Sequence, residues 1–474
     1  MFPRNRRRRT SIWGAIAVLG LLLVLAFVGA PRVMDVRPPS GSTFVPPSAA
    51  LRVSFNRPMD RISVESRWST SPESPGTFQW EGNSLTFHPS SPWPTGETVT
   101  LRLAAGSRSV YFLPIWKNHE WTFSIGIPRV LYLSTEGAED DLHIHNVETG
   151  ESIRITETDF GVFDYSVSMD GTLVVYSALR ADDGSDLRSY DLVSKEDRMV
   201  YSCPKGWRCQ APQVSSDHNV LAFERIEFKG GAGGQSVPGN PQVWFVEMDG
   251  GTLAQPLSAS GHMTSIPTWS STGLLAFNNG SLNLIQILEF TNTEEPTVLH
   301  SLPSDIGEVG AWSPDGAFLL YSDLVFLDQP YESNEEPGDA FPQFFSHIFR
   351  FSMSSGLIED LSGSEHGLVE DVFPVYSPDG QWILFARKFL EDDRWTPSRQ
   401  LWLMRSDGTE ARQITNEPDY NHHAISWSPE SRRLTFMRTS QLDLTEPPEI
   451  WLYDLDTDTS EYLLTGGYYP QWIP

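Results

Sequence analysis

Few side chains in this chain of 474 residues stand together in a way that could do chemistry. His422 and His423 adjoin, with Asp419 and Tyr420 just before them. Two imidazoles beside a carboxylate could hold a metal or move protons, because histidine titrates near neutrality. A lone adjacent pair on a loop is more often simply solvated. "NHEW" (118–121) lacks the second histidine of a zinc-binding helix. "DLDTDTSE", Asp454 to Glu461, imitates the start of a calcium loop but lacks its sixth-position glycine and twelfth-position glutamate, so a hairpin turn is expected. Cys203 and Cys209 flank Pro-Lys-Gly-Trp-Arg with no further zinc ligands in that stretch. They are expected to form one disulfide in an oxidising compartment. The sequence contains no Gly-x-Ser-x-Gly elbow. No catalytic residue, metal or cofactor is expected.

One motif looks like a site and reads as scaffold. "VYSPDGQWILFARK" (375–388) places Asp379 at a sharp corner between aromatic residues. Related stretches surround Ser313 and Ser428, and weaker ones Ser168, Ser215 and Ser270. These serines lie about 50 residues apart, the spacing of propeller blades or solenoid units. A catalytic acid would not recur in every repeat, so Asp379, Asp315 and Asp170 read as turn formers. Asp-Gly supplies the turn and Pro ends the strand before it. The run Trp382-Ile383-Leu384-Phe385 has side chains that suit a pleated sheet. A third run (401–404), a turn at 406–409 and a fourth run complete four strands per repeat, one antiparallel blade.

The repeats resemble those of the TolB-type (WD40-like) β-propeller. The resemblance rests on the Trp/Tyr-Ser-Pro-Asp-Gly corner and on "MRSDGTEARQIT" and "YDLDTDTSEYLLT". It covers Arg129 to Pro474 and implies no catalytic residues. Such propellers also occur beside the hydrolase domain of serine peptidases, and no such domain is expected here. The segment 130–156 lacks a corner before it, and the terminal "YYPQWIP" has only a corner strand. Sharing one blade, they would close the ring and remove exposed sheet edges. Seven blades are expected, with six or eight as alternatives.

Residues 31–127 precede the propeller. Alternating runs at 51–55, 84–87 and 99–103 suggest a β-sandwich. This stretch resembles the SbsA-type bacterial Ig-like domain through Pro39-Ser40-Gly41, "VSFNRPMD", "LTFHPSSPWPTGETVTLRL" and Trp121-Thr122-Phe123. The resemblance implies a spacer or surface module. Before it, residues 1–11 form a basic tip with five arginines, and Ile12 to Ala30 is an uncharged apolar run. At about 1.5 Å per residue that run spans roughly the 30 Å hydrocarbon core. The expectation is an all-β protein on a transmembrane signal anchor (12–30), with the propeller (128–474) outside the membrane. A cleaved signal peptide and secretion are the alternative.

The net charge of −27 argues against nucleic acid as a partner. In a four-stranded blade, the loops between strands two and three share a face with the blade-joining loops. These are the long segments, and binding usually resides in loops held on a rigid scaffold. The candidate binding face is Trp207, Tyr331, Glu335, Phe341, Phe345, Asp392, Asp393, Trp395, Asp419, Tyr420, His422 and His423. Aromatics supply contact area and carboxylates supply orientation. The expected function is a non-catalytic module for an envelope protein or surface polymer. The alternative is a propeller hydrolase or lyase acting on glycans, with carboxylates and the histidine pair converging in the central funnel.

Overall fold

The computed structural model describes residues 30–42, 45, 47, 49–230, 236–249, 254–290, 296–326, 344–363, 368–391 and 394–474. The chain divides into two compact units, Met1–Ile127 and Pro128–Pro474. The expected membrane run, apart from Ala30, lies outside the described residues. Among the described residues, no helix is long and apolar enough to cross a membrane.

The first unit is a two-sheet sandwich. One sheet orders Val33–Arg37, Leu51–Phe55, Ser84–Pro89 and Gly76–Glu81, and the other orders Trp68–Ser71, Thr98–Leu103 and His119–Ser124. Strict alternation in Leu51-Arg52-Val53-Ser54-Phe55 sends the three apolar side chains inward, where they are buried. They meet Leu85, Phe87, Trp93, Val99, Leu101 and Phe123 in one core. The only helix among the described residues, Arg61–Glu65, starts where the Asp60 side chain accepts from the Ser63 amide at 3.4 Å.

The second unit repeats one four-stranded antiparallel pattern. In the chain's own direction, blade 1 is Val162–Val167, Leu173–Leu179, Ser185–Asp191 and Asp197–Ser202. The first strands of blades 2 to 6 are Trp207–Val214, Thr264–Trp269, Glu308–Trp312, Val369–Tyr376 and Tyr420–Trp427. Blade 7 is composite: Gly467–Trp472 pairs with Arg129–Ser134, which pairs with Asp141–Asn146 and then Ser152–Arg154. Trp472 faces Val130 in that register and is 4% exposed. These propeller-like sheets contact one another in sequence order through their first strands. The last meets the first directly: Tyr165 Oη donates to the Tyr469 carbonyl, and the Val167 amide donates to Gln471 Oε1 at 3.1 Å.

The recurring corner is held by its own side chains. Ser377 Oγ donates to Asp379 Oδ1 at 2.5 Å and accepts the Trp382 amide at 3.0 Å, while Asp379 Oδ1 also accepts the Gln381 amide at 3.0 Å. The same bonds join Ser168 to Asp170, Ser215 to Asp217 and Ser313 to Asp315. Bonding from Ser313 and Ser215 lowers the carboxyl pKa of Asp315 and Asp217. Thr272 takes the aspartate's place beside Ser270, at 3.0 Å. These aspartates build turns. The calcium-like "DLDTDTSE" is likewise a turn between Glu449–Asp454 and Thr459–Thr465, in which Asp454 Oδ1 accepts the amides of Asp456 and Thr457.

Candidate functional site on the loop face and the axis

Each of the seven first strands carries one extra residue facing the second strand, as at Gln210/Gln213, Ser265/Thr268, Val372/Val375 and His423/Ser426. In blade 1 the extra residue is Phe163. The bulge turns the backbone to positive φ at Ala211, Ile266, Phe373, Ala424 and Tyr469. A non-glycine residue there is uncommon and needs support from its surroundings. Three carboxylates supply it across blade boundaries. Asp164 of blade 1 accepts from the Ala211 amide of blade 2 at 2.5 Å. Glu224 of blade 2 accepts from Ile266 of blade 3 at 2.8 Å. Glu308 of blade 4 accepts from Phe373 of blade 5 at 2.9 Å. Burial pushes the Asp164 carboxyl up to about 7 and raises Glu224 and Glu308 as well. Sequence reasoning missed these acids; no motif marks them, because each is defined by the bulge of another blade.

The other charges near the first strands are paired too. Asp371 and Arg387 form a fully buried bidentate ion pair at 2.6 Å. Arg399 pairs with Glu370. The bulge positions themselves present apolar groups: Phe163, Ile266, Phe373 and Tyr469 are all exposed.

The histidine pair stands on the strand Tyr420–Trp427, and the loop placement expected for it is corrected. Alternation along that strand separates the two rings. His422 is fully buried, with Nδ1 3.2 Å from the Arg399 carbonyl and Nε2 3.3 Å from Glu417 Oε2. Arg438 donates to both Glu417 oxygens at 2.6 Å. Bonding to His422, then Arg438, lowers the Glu417 carboxyl to about 2. The His423 pKa is lowered by burial and by the nearby charges of His422 and Arg399. The pair therefore does not converge on one point. Among the described residues, no three His, Cys, Asp or Glu side chains stand together so as to hold a metal ion.

The rest of the candidate face scatters. Trp395 is 56% exposed, with Lys388 Nζ 5.4 Å from its ring centre. Asp419 is exposed. Tyr420 is half-buried under the Arg438 guanidinium, 4.0 Å away. Trp207 begins the first strand of blade 2 and stacks on Arg225 at 4.2 Å, with Trp244 on the other side at 4.5 Å. Phe345 is corrected: it is 7% exposed, belongs to the strand Phe344–Ser352 and packs on His347, so it offers no contact area. Tyr331, Glu335, Phe341, Asp392 and Asp393 lie outside the described residues. Cys203 and Cys209 are bonded, both buried, and tie the loop joining blades 1 and 2 to the strand it enters. Beside that loop, Arg180 donates to the Cys203 carbonyl and pairs with Asp182 and Asp186. A cleft of about 320 Å³ opens here, lined by Phe160, Tyr176, Arg180 and Arg188. Its polar groups are bonded to each other: Tyr176 Oη donates to Asp197 at 2.7 Å and accepts from Arg188 at 3.1 Å.

Residues 28–125 match the bacterial Ig-like domain family. A dipeptidyl-peptidase 5 of Porphyromonas gingivalis is 24% identical over 161 residues, 33% of this chain and 21% of that protein. The chain thus spans about a fifth of that relative's length. An uncharacterised protein of Agrobacterium fabrum is 24% identical over 322 residues, 63% of this chain and 94% of its own. Among solved structures, TolB from Acinetobacter baumannii aligns over 94% of this chain and 99% of its own, with 11% identity and a TM-score of 0.43. No residue role passes across at that identity.

Proposed function

We propose that the chain is a membrane-anchored, extracytoplasmic binding protein. Its Ig-like unit serves as spacer, and its seven blades form a closed ring that presents the loop face to an envelope protein. The observation that carries this reading is the state of the charges on and beside the first strands. Asp164, Glu224 and Glu308 each cap a bulge amide in another blade. Asp371 and Glu417 are held by arginines. Groups spent in this way hold the ring rigid, and a rigid ring with one elaborated face suits binding. The exposed Trp395 supplies aromatic area of the kind enriched at protein interfaces, and the exposed Asp419 supplies a charge suited to an interface rim. The apolar run at 12–30 and the basic tip before it support the anchor.

The test is capture from solubilised envelopes by full-length protein, wild type against Trp395→Ala/Asp419→Ala. A defined partner held by the wild type and weakened in the variant supports the reading. Equal capture by both, or none by either, rejects it. A glycan-directed enzyme is the second reading, and one observation favours it: Asp164 Oδ1 is buried without a partner on a carboxyl that titrates near 7. Polysaccharide cleavage that disappears in Asp164→Asn would establish that reading instead.

A further inference from the structure

The Ig-like unit carries an apolar tip that its own core does not use. Residues 106–115 form a hairpin, in which Ile115 N donates to the Ser107 carbonyl at 2.7 Å and Ser109 N to the Leu113 carbonyl at 2.9 Å. Its turn exposes Val110 (47%), Tyr111 (68%) and Phe112 (77%), and Trp116 just beyond it is 62% exposed. Phe112 sits at φ 62°, a conformation that bulky residues rarely adopt. The turn is spent on holding two aromatic rings in solvent. The short helix adds Ile62, 79% exposed, because the Asp60 amide donates to the Arg108 carbonyl and the Val110 amide to the Pro58 carbonyl. Val110, Tyr111 and Phe112 are consecutive, and exposed apolar groups clustered in this way mark an interaction surface.

Charge and position indicate what covers it. Next to these apolar residues in the chain stand Arg61, Arg108 and Lys117, all exposed and none in an ion pair among the described residues; the Arg61 guanidinium lies 5.9 Å from the Trp80 ring centre. This is a basic tip on a chain of net charge −27. Aromatic groups flanked by cations suit the boundary between lipid headgroups and acyl chains. The tip also stands at the end where the chain enters the unit. Arg32 bonds to Asn56 through both amide donors, Asn56 N to the Arg32 carbonyl at 3.1 Å and Arg32 N to Asn56 Oδ1 at 2.9 Å. Two residues later Pro58 meets the hairpin. The chain leaves from the opposite end, since Ile125 N donates to the Glu97 carbonyl, next to Thr98 at the far end of its strand. An apolar run ending at residue 30 therefore ends beside the tip.

We propose that the tip formed by Ile62, Tyr111, Phe112 and Trp116, with Arg61, Arg108 and Lys117 next to them in the chain, docks on an anionic phospholipid bilayer. Docking gives the unit a second attachment beside its anchor and fixes its tilt on the surface. The inference rests on the anchor reading above, and its test separates the two.

Full-length Phe112→Cys, and separately Trp116→Cys, is labelled with the polarity-sensitive fluorophore NBD; the native cysteines are bonded and buried. Glu97→Cys, at the far end, is the control. Each is reconstituted with vesicles of phosphatidylcholine, with or without phosphatidylglycerol. Flotation reports the anchor, and NBD reports the tip. We expect co-flotation, a several-fold rise in emission with a blue shift at 112 and 116 but not 97, and a larger rise with phosphatidylglycerol. Arg61→Glu/Arg108→Glu/Lys117→Glu should remove the phosphatidylglycerol preference. A chain that floats with all three probes equally wet overturns the docking and leaves the anchor standing. A chain that does not float overturns both. An emission rise without lipid that grows with protein concentration overturns the lipid assignment in favour of a second copy.

Discussion

Asp164 shows how one side chain links local geometry to the behaviour of the whole ring. Its carboxyl is raised from 3.8 to about 7, first by burial and then by the charge of Glu224. A raised acid binds its proton more tightly in the folded state than in the unfolded one. Folding is therefore unpenalised below about pH 4, and stability falls as pH rises from there through 7. Glu417 has the opposite sign: lowered to about 2, it contributes stability above its ordinary value that is lost as pH falls from 4.5 toward 2. The melting temperature should thus peak in mildly acidic buffer and decline on both sides. Asp164→Asn should flatten the decline between pH 5 and 8, and an unchanged slope would show that Asp164 is not the titrating group. The cysteines give a second residue-scale prediction. Closing so short a loop is worth about 2 kcal/mol, so Cys203→Ser/Cys209→Ser should lower stability by that order in denaturant melts. Two free thiols in the unreduced wild type would contradict the bond.

Elements are where the sequence could be read best. The corner repeats on Ser168, Ser215, Ser313 and Ser377 announced their turns, because local bonds between Ser, Asp and backbone make each corner self-sufficient. The bulges were not legible. No residue type marks Ala211, Ile266 or Phe373, and each positive φ is supported by a carboxylate from a different blade. The histidine pair was misplaced for a related reason: "NEPDYNHHA" reads as polar loop, yet His422 is polar and fully buried because Glu417 and the Arg399 carbonyl satisfy it. Trp472 tests the composite blade at this scale. It is buried against Val130, and Arg433 lies 5.2 Å from its ring centre. Removing such an aromatic costs about 3–5 kcal/mol. Trp472→Ala should destabilise the second unit by that order, with the Ig-like unit unfolding at its wild-type midpoint. A single unshifted transition would show that the terminal strand does not hold the blade.

At the scale of the whole molecule, the proposed binding role rests on the loop face of the second unit. The chain's few lysines divide that ring. Lys205 lies in the loop joining blades 1 and 2, and Lys229 and Lys388 lie near the loop ends of their strands. Lys195 lies in the turn between Ser185–Asp191 and Asp197–Ser202, on the opposite face. Amine-reactive cross-linking of the full-length protein in intact envelopes, read by mass spectrometry, therefore reports which face meets a partner. We expect adducts to one recurrent envelope protein through Lys205, Lys229 or Lys388, and none through Lys195. Adducts confined to Lys195, or none at any of the four, would contradict the proposed binding face.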